Sequence, residues 1–395
     1  MSSMQVDNAV HLPEELRIQL GSFYTPNELV SRVQELVRPY LDKEKRRAIV
    51  FDSAGGCGAF MFGMKGYDYR IADFDAIACS FLDENFDRAK VVCTNSLLGV
   101  GRERFRIPPS AYLAVIGNPP YNDTTSEYKN GRKGGNLCDA DLFDRDLGVS
   151  FLKSYNKLKA DVVCILHPLS YLIKEANFKR LLEFKDNYRL VHGELFSSAL
   201  FKGTGLCKFP IMIALYERGK EGMSYQHIRE FGFNLFNRDE TFVLSRYTTT
   251  DGYINKYPPR SNEAGRSPIG LYYHTFRDIN SVKRNAAFLT REHPNGIVVT
   301  LENFYKYAYI YAIKKLFDPP DAWLYGNLSP LVNIKSLEQM KKLYVAHALS
   351  SSWDLKKLSG AAVNKIKEHY RISNDLKVSI EKLELEIREN LHSLI

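Results

Sequence analysis

The first half of the chain alternates short apolar runs with stretches of helical periodicity. Apolar side chains recur every three or four positions between residues 26 and 40, which predicts a helix. Unbroken apolar runs follow at 48–51, 112–116 and 162–166, and each gives way to polar or turn-forming residues. Buried parallel strands read as such runs when helices cover both faces of their sheet. The pattern therefore predicts an α/β fold with a doubly wound, mostly parallel sheet, whose ligands bind at the carboxyl ends of the strands.

The pattern changes near residue 219. Strand-like and turn-like segments alternate up to residue 300, and helical periodicity returns beyond it. The last stretch, 374–394, predicts an amphipathic helix, which we expect to pack within its own domain rather than to form a dimer seam. For 395 residues we expect two domains: 1–219, with the parallel sheet, and 220–395, of mixed α and β structure.

The composition is that of an ordinary folded chain, with 45% apolar and 25% charged residues, which excludes wholesale disorder and a disulfide scaffold. No run of about 18 apolar residues is present, so we expect no membrane span. The start of the chain lacks an apolar signal core, so a cytoplasmic protein is expected. The six cysteines never occur as C-x-x-C and lie far apart, and we expect them to be reduced and not to bind metal.

The charge leans positive, mostly in the second half. The formal net charge is +8, and residues 221–395 hold 24 of the 54 basic and 19 of the 46 acidic residues, a net +5. Such a surplus is compatible with nucleic-acid binding. Many domains that bind no nucleic acid have a similar charge, so composition alone decides nothing here.

A glycine-rich segment, DSAGGCG at residues 52–58, follows the first predicted strand. Its glycines allow a tight turn and let a ligand approach the backbone. Asp73 ends the second predicted strand, where a carboxylate can bind both hydroxyls of a ribose. There is no G-x-G-x-x-G, which weakens the case for a dinucleotide. Each signal alone is equally compatible with a sharp strand-to-helix corner.

The motif Asn118-Pro119-Pro120-Tyr121 follows the run 112–116 and is the strongest chemical signal. Two consecutive prolines have no backbone N–H groups, so the strand stops there and the loop is stiff. The Asn118 side chain and the Pro119 carbonyl can together accept both hydrogens of an amino group. Tyr121 can stack on a flat heteroaromatic ring. The alternative is a rigid turn with a packed tyrosine.

In their order these segments resemble the S-adenosylmethionine-dependent N6-adenine DNA methyltransferases of the gamma class. In that family the cofactor motif comes first, NPPY second and the target-recognition region last. Residues 23–26, FYTP, resemble the family's F-x-T-P motif, and residues 52–60 resemble D-P-A-x-G-x-G-x-F, with Ser53 in place of the proline. The resemblance covers roughly residues 20–218 and implies a Rossmann-like methyltransferase sheet with S-adenosylmethionine as the cofactor.

The resemblance also implies roles for individual residues. Asn118, Pro119 and Tyr121 match the catalytic motif, and no metal is implied. The residues it assigns to the cofactor are Phe23, Tyr24, Thr25, Pro26, Asp52, Ser53, Ala54, Gly56, Gly58, Asp73, Phe74, Asn95, Ser96, Asn118 and Phe151. Asn95 stands where the family has an aspartate that binds the cofactor's adenine amino group, and an amide oxygen can accept that bond.

The implied substrate is an adenine flipped out of the duplex. Its N6 lone pair is delocalised into the ring, so holding both amino hydrogens orients the nitrogen for reaction. The residues assigned to the substrate are Asn118, Pro120, Tyr121, Asn122, Arg132, Lys133 and Phe201, with Phe196 and Phe209 as alternatives to Phe201. Arg132 and Lys133 lie in the long loop 122–145, where a DNA contact and a solvated loop are both compatible with the sequence.

The resemblance thus predicts a site-specific adenine methyltransferase of double-stranded DNA, paired with a separate restriction endonuclease or acting alone, as a monomer or a dimer. Basic residues in the front part of the second domain are candidates for phosphate contacts: Arg246, Lys256, Arg260, Arg266, Arg277, Lys283 and Arg284. NPPY also occurs in methyltransferases of RNA bases and of release-factor glutamines, and a catalytically silent DNA-binding subunit is a third alternative. The FYTP segment and the large C-terminal region favour DNA.

Overall fold

The computed structural model describes residues 25–44, 47–64, 66–121, 138–201, 208–259, 266–318, 321–373 and 380–394. The chain divides into two compact units, Met1–Leu244 and Ser245–Ile395. This division falls later than the boundary expected after residue 219, because two further strands, between residues 232 and 243, extend the sheet of the first unit.

The first unit contains a nine-stranded sheet in the order β3-β2-β1-β4-β5-β7-β6-β8-β9. Its strands are β1 Ala48–Asp52, β2 Asp68–Asp73, β3 Val91–Cys93, β4 Tyr112–Gly117, β5 Val162–Pro168, β6 Tyr188–Ser197, β7 Pro210–Arg218, β8 Gly232–Leu235 and β9 Thr241–Val243. Strands β1 to β5 pair in parallel. Strand β7 is antiparallel to both β5 and β6, β8 is parallel to β6, and β9 is antiparallel to β8. The predicted mostly parallel sheet is confirmed.

The order of the strands reverses beside β1. The chain runs outward from β1 through β2 to β3, and then returns to place β4 on the other side of β1, followed by β5. In parallel sheets such a reversal opens a crevice at the carboxyl ends of the two central strands, which is where ligands bind. The topology therefore directs attention to the ends of β1 and β4.

The helices of the first unit are α1 Asn27–Lys43, α2 Ala59–Phe62, α3 Ala76–Asn85, α4 Leu147–Lys157, α5 Ser170–Ile173, α6 Glu175–Lys179, α7 Glu183–Asn187 and α8 Tyr225–Glu230. Helix α1 buries its apolar stripe, including Leu29, Val33 and Val37, against β5 and β7. The sequence places its end near Pro39, but the helix continues to Lys43. Because Pro39 has no N–H, the Glu35 carbonyl loses its helical partner. Glu35 lies on the exposed side of the helix, where water can solvate this carbonyl, so Pro39 is tolerated.

The second unit mixes helices with a small antiparallel sheet, as predicted. Its strands are β10 Leu271–His274, β11 Phe288–Leu289 and β12 Gly296–Val299, with β10 in the middle. Its helices are α9 Ile279–Arg284, α10 Phe304–Leu316, α11 Ala322–Tyr325, α12 Ile334–Gln339, α13 Lys341–Ser351, α14 Gly360–His369 and α15 Ile380–His392.

Helix α15 buries Leu383, Ile387 and Leu391 and packs on α10 and α13, so the predicted packing within its own unit is confirmed. No described helix is both long enough and apolar enough to span a membrane.

The cysteines differ from expectation at one pair. The structure joins Cys79 of α3 to Cys93 at the end of β3 as a disulfide, with Cα atoms 5.6 Å apart. The expectation that all cysteines are reduced is wrong for this pair, because the pairing of β2 with β3 brings together two positions that the sequence spacing gave no reason to connect. Cys57, Cys138 and Cys164 are buried thiols.

His167 lies in the middle of the sheet and is almost fully buried. Its Nδ1 donates to the Pro168 carbonyl at 2.9 Å, and its Nε2 accepts from the Tyr216 hydroxyl of β7 at 2.6 Å. The ring also stacks on Tyr171, with centroids 5.2 Å apart. Burial lowers the pKa of His167 to about 4, although the bond to Pro168 favours the charged form. The native protein therefore holds this histidine neutral.

We expect the free energy of unfolding of the first unit to fall as the pH falls from 7 to 5. The unfolded histidine has a pKa near 6.5 and takes up a proton in this range, whereas the buried His167 does not, which costs about 2 kcal/mol by pH 5. The measurement is the free energy of unfolding in urea at both pH values, with hydrogen–deuterium exchange of peptides from β5 as the probe of unfolding. His167→Phe keeps the stacking but removes the titration, and an unchanged pH slope in this variant would contradict the assignment.

Candidate active site

Three predicted site segments meet at the carboxyl edge of the sheet. Strands β1, β2 and β4 end at Asp52, Asp73 and Gly117, and they are neighbours in the order β2-β1-β4. Because the three strands are parallel, their carboxyl ends lie at one edge. The glycine turn, the acid of the second strand and the NPPY motif are thus brought together at the crevice where the order of the strands reverses.

The turn after β1 requires glycine at two positions. Gly56 and Gly58 have φ of +52° and +71°, a region that other residues rarely adopt. No atom lies within 4 Å of the place where a Cβ of Gly56 would stand, so the backbone there is open to a ligand. A Cβ on Gly58 would stand 2.3 Å from the Phe86 ring. The turn therefore combines a packed corner with an exposed strip of backbone.

Asp73 ties the second strand to this turn. Its Oδ2 accepts from the Gly56 N–H at 2.8 Å and its Oδ1 from the Asp75 N–H at 2.9 Å. Each carboxylate oxygen keeps a second lone pair for a ligand hydroxyl. Burial raises the pKa of Asp73, while the backbone donors act in the opposite direction. The next residue, Phe74, is 55% exposed and offers an apolar face beside the acid.

Asp52 lies directly against the residue that precedes the NPPY motif. Its side chain is buried, and Oδ1 accepts from the Ala54 N–H at 3.1 Å. A Cβ on Gly117, whose φ is +149°, would stand 2.7 Å from Asp52 Oδ1. Burial, with a smaller contribution from the nearby Asp73 carboxylate, raises the pKa of Asp52 to about 7, although the Ala54 N–H acts in the opposite direction. A cation bound here would favour the ionised form of Asp52.

Asn118 has one end of its amide paired and the other unpaired. Its Nδ2 donates to the Thr25 hydroxyl at 3.2 Å, which connects the NPPY motif to the FYTP segment. Its Oδ1 is shielded from solvent and has no hydrogen-bond partner among the described residues. An unpaired buried acceptor costs roughly 1–3 kcal/mol, and a donor from a ligand would remove that cost.

Tyr121 is packed beside the start of α4. Burial raises the pKa of its hydroxyl far above the ordinary range, so the hydroxyl stays protonated. A Cβ on Gly148 would stand 3.1 Å from the Cβ of Tyr121 and 2.4 Å from the Tyr171 hydroxyl. Tyr171 donates in turn to Asp146, the residue that caps α4. The absence of a side chain at position 148 lets the two tyrosines approach each other.

The remaining cofactor-assigned residues lie around the same turn. Ser96 Oγ donates to the Ser53 carbonyl at 2.6 Å, and the Ser53 hydroxyl is 2.8 Å from that of Tyr155 on α4. Phe151 is buried with its ring 6.3 Å from that of Tyr155. Asn95 Oδ1 accepts from the Leu97 N–H at 2.9 Å, which closes a turn.

The alternatives for the second stacking aromatic have different surroundings. Phe201 and Phe196 are both buried in the core, with rings 6.0 Å apart, whereas Phe209 is half-buried at the edge of the same cluster.

Of the two prolines of the NPPY motif, Pro119 is buried and Pro120 is half-buried. The other predicted residues, namely Phe23, Tyr24, Asn122, Arg132 and Lys133, lie outside the described residues, as does Arg260. Within the described ranges, no group of three His, Cys, Asp or Glu side chains is arranged to hold a metal ion.

The sequence analysis missed four residues that shape this site: Gly117, Gly148, Tyr155 and Tyr171. Gly117 could have been noted as the last residue before a rigid proline loop, where the backbone has to pass close to the end of β1. The two tyrosines carry no comparable signal, because Tyr155 reads in the sequence as an ordinary apolar position of a helix and Tyr171 as part of the apolar stretch that contains the strand at 162–166.

We expect Gly117→Ala to destabilise the first unit by about 1–3 kcal/mol, because the new Cβ meets a buried carboxylate and the backbone adopts a glycine conformation. The measurement is the free energy of unfolding in urea. The matched control is Gly101→Ala, where φ is not in the left-handed region and no atom lies within 4 Å of the new Cβ. Equal stability of the two variants would contradict the close approach of Asp52.

Solved methyltransferase structures are similar to this chain. One is a putative RNA methyltransferase from Pyrococcus horikoshii, at 16% identity over 52% of this chain and 90% of that chain, with a TM-score of 0.33. Another is a putative class I S-adenosylmethionine-dependent methyltransferase from Listeria monocytogenes, at 14% identity over 56% and 72% of the two chains, with a TM-score of 0.37. A third is the type I restriction enzyme EcoKI M protein, at 11% identity over 94% and 70%, with a TM-score of 0.38. No protein-family model and no curated protein sequence matches the chain.

Proposed function

We propose that this protein is an S-adenosylmethionine-dependent methyltransferase that modifies the N6 amino group of adenine in double-stranded DNA. The observation that carries the proposal is the Asn118 amide, whose Oδ1 is buried and unpaired among the described residues while Nδ2 is held by Thr25. A buried acceptor at the carboxyl edge of a parallel sheet, next to a glycine turn, fits a planar amino group as its donor.

The substrate side follows from the geometry of the NPPY motif. Oδ1 of Asn118 and the Pro119 carbonyl accept the two hydrogens of the amino group, which orients the nitrogen lone pair. The ring of Tyr121 offers a stacking surface, which is worth about 1–3 kcal/mol for a base. That gain offsets part of the cost of a few kcal/mol for turning an adenine out of the duplex.

The cofactor side follows from the first two strand ends, and the residues present fit the group. The open backbone at Gly56 and the Asp73 carboxylate suit a ribose, and the exposed Phe74 ring suits a purine face. Asp52 suits the ammonium of the amino-acid part, because an ionised carboxylate binds a cation. When bound, S-adenosylmethionine supplies the electrophilic methyl group that the oriented nitrogen takes up.

The DNA side is proposed for the second unit. Three of the basic residues named from the sequence are engaged within the unit: Lys256 with Asp251, Arg277 with Asp278, and Lys283 with the Phe317 carbonyl. Arg246, Arg266 and Arg284 have exposed side chains and remain the better candidates for phosphate contacts. The partner is double-stranded DNA, and a separate nuclease acting on the same site is compatible with this role.

We expect the purified chain to transfer label from tritiated S-adenosylmethionine to duplex DNA. Asn118→Ala removes the acceptor and should lower the rate of transfer by about 100-fold or more, while cofactor affinity measured by calorimetry changes little. The control is Asn85→Ala, an exposed asparagine at the end of α3.

Parallel reactions with RNA and with a release-factor mixture separate the alternatives. Label in RNA or in protein but not in DNA would contradict the adenine assignment. Cofactor binding without transfer to any of the three would indicate a silent DNA-binding subunit. Full activity of Asn118→Ala would remove the observation on which the proposal stands.

We expect cofactor affinity to rise several-fold between pH 6 and pH 7.5. Burial raises the pKa of Asp52 to about 7, so the carboxyl is mostly protonated at the lower pH and mostly ionised at the higher one. Only the ionised form attracts the cofactor ammonium. Calorimetry at both pH values measures the change. Asp52→Asn should bind more weakly and lose most of this pH dependence; a slope equal to that of the wild type would assign the titration to another group.

A further inference from the structure

We infer that Thr25 is a positioning residue for Asn118: its hydroxyl holds the Nδ2 end of the amide and thereby turns the Oδ1 end toward the substrate amino group. The observation is the hydrogen bond from Asn118 Nδ2 to Thr25 Oγ1 at 3.2 Å, across 93 residues of sequence. The identity of the substrate amine rests on the proposed function. The contact between Asn118 and Thr25 does not depend on it.

The direction in which the amide points decides what the site can do. An asparagine amide has a donor end and an acceptor end, and a half-turn of the side chain exchanges them. With NH2 toward the pocket, two donors would face each other when an amino group arrives. With Oδ1 toward the pocket, the amide oxygen gains its donor when the amino group is bound, and Nδ2 keeps its bond to Thr25. The structure shows this second arrangement without the donor: Oδ1 of Asn118 is unpaired among the described residues.

Thr25 supplies the partner that holds the amide in place. Its hydroxyl accepts from Asn118 Nδ2 in a partly buried place, and the substrate amino group, which offers only donors, selects this orientation over the turned one, in which the hydroxyl would donate to Oδ1. An aliphatic residue of the same shape would leave both ends of the amide unpaired. The amide would then gain by turning or by moving away from the pocket.

The anchor itself is rigid. Thr25 is 8% exposed and comes directly before Pro26, whose carbonyl accepts from the Leu29 and Val30 N–H groups at 3.0 and 3.1 Å. These bonds open helix α1, which is buried against β5 and β7. The hydroxyl is therefore fixed relative to the sheet on which Asn118 stands. The resemblance gives Thr25 a cofactor role, and the contact with Asn118 adds a role on the substrate side.

Two substitutions at one position test this inference. Thr25→Val keeps the shape and removes the hydroxyl, whereas Thr25→Ser keeps the hydroxyl. At saturating S-adenosylmethionine, we expect Thr25→Val to lower the single-turnover rate of methyl transfer to duplex DNA by about 10- to 100-fold, with a much smaller change in KM for DNA. Thr25→Ser should rescue most of the rate. The matched control is Thr241→Val on β9, where the threonine is exposed.

A second readout does not depend on activity. The side-chain amide signals of Asn118 in a 15N-labelled protein, identified by their loss in Asn118→Ala, should shift in Thr25→Val and return in Thr25→Ser. Unchanged amide signals in Thr25→Val would overturn the inference, as would a saturated rate equal to that of the wild type. If the amide signals shift but the wild type methylates nothing, the proposed function fails and the positioning contact stands.

Discussion

The candidate site depends on the parallel pairing of β1 with β4. The register runs from Ala48 opposite Tyr112 to Phe51 opposite Val115, so Asp52 and the residues after Gly117 emerge side by side. Because β2 and β3 lie on the far side of β1, the order of the described strands reverses at the crevice between the ends of β1 and β4. A glycine at position 117 then lets the NPPY loop leave the strand in contact with the Asp52 carboxylate.

Two polar groups are kept in this crevice at a cost to stability. Burial is the largest cause of the raised pKa of Asp52, and Asn118 Oδ1 is shielded without a donor among the described residues. Each cost is relieved by a different kind of ligand group: a cation for the carboxylate, and an N–H donor for the amide oxygen. Under the proposed function, these two groups are the ammonium of the cofactor and the amino group of the substrate.

The sequence predicted the parts of the fold that local pattern determines. The apolar runs of β1, β4 and β5 are buried on both faces and need no knowledge of their neighbours to be recognised. That β8 and β9 extend this sheet was not predicted, because both strands are short and only half-buried. At the site, the glycine turn and NPPY carry their own chemistry, whereas the contacts of Asn118 with Thr25 and of Ser53 with Tyr155 join positions far apart in sequence. Only the strand order brings such pairs together.

The chemistry of the site and its selectivity for a substrate have different physical origins. Under the proposed function, the two acceptors of the NPPY motif, Asn118 Oδ1 and the Pro119 carbonyl, would orient any planar amino group, whether it belongs to a base or to a carboxamide. Discrimination therefore has to come from the surfaces around them. For the proposed base, this surface is the ring of Tyr121, whose Cβ lies beside Gly148. Selection of duplex DNA would further require charge that reaches phosphates outside the pocket, and residues 221–395 carry +5 of the net +8 of the chain.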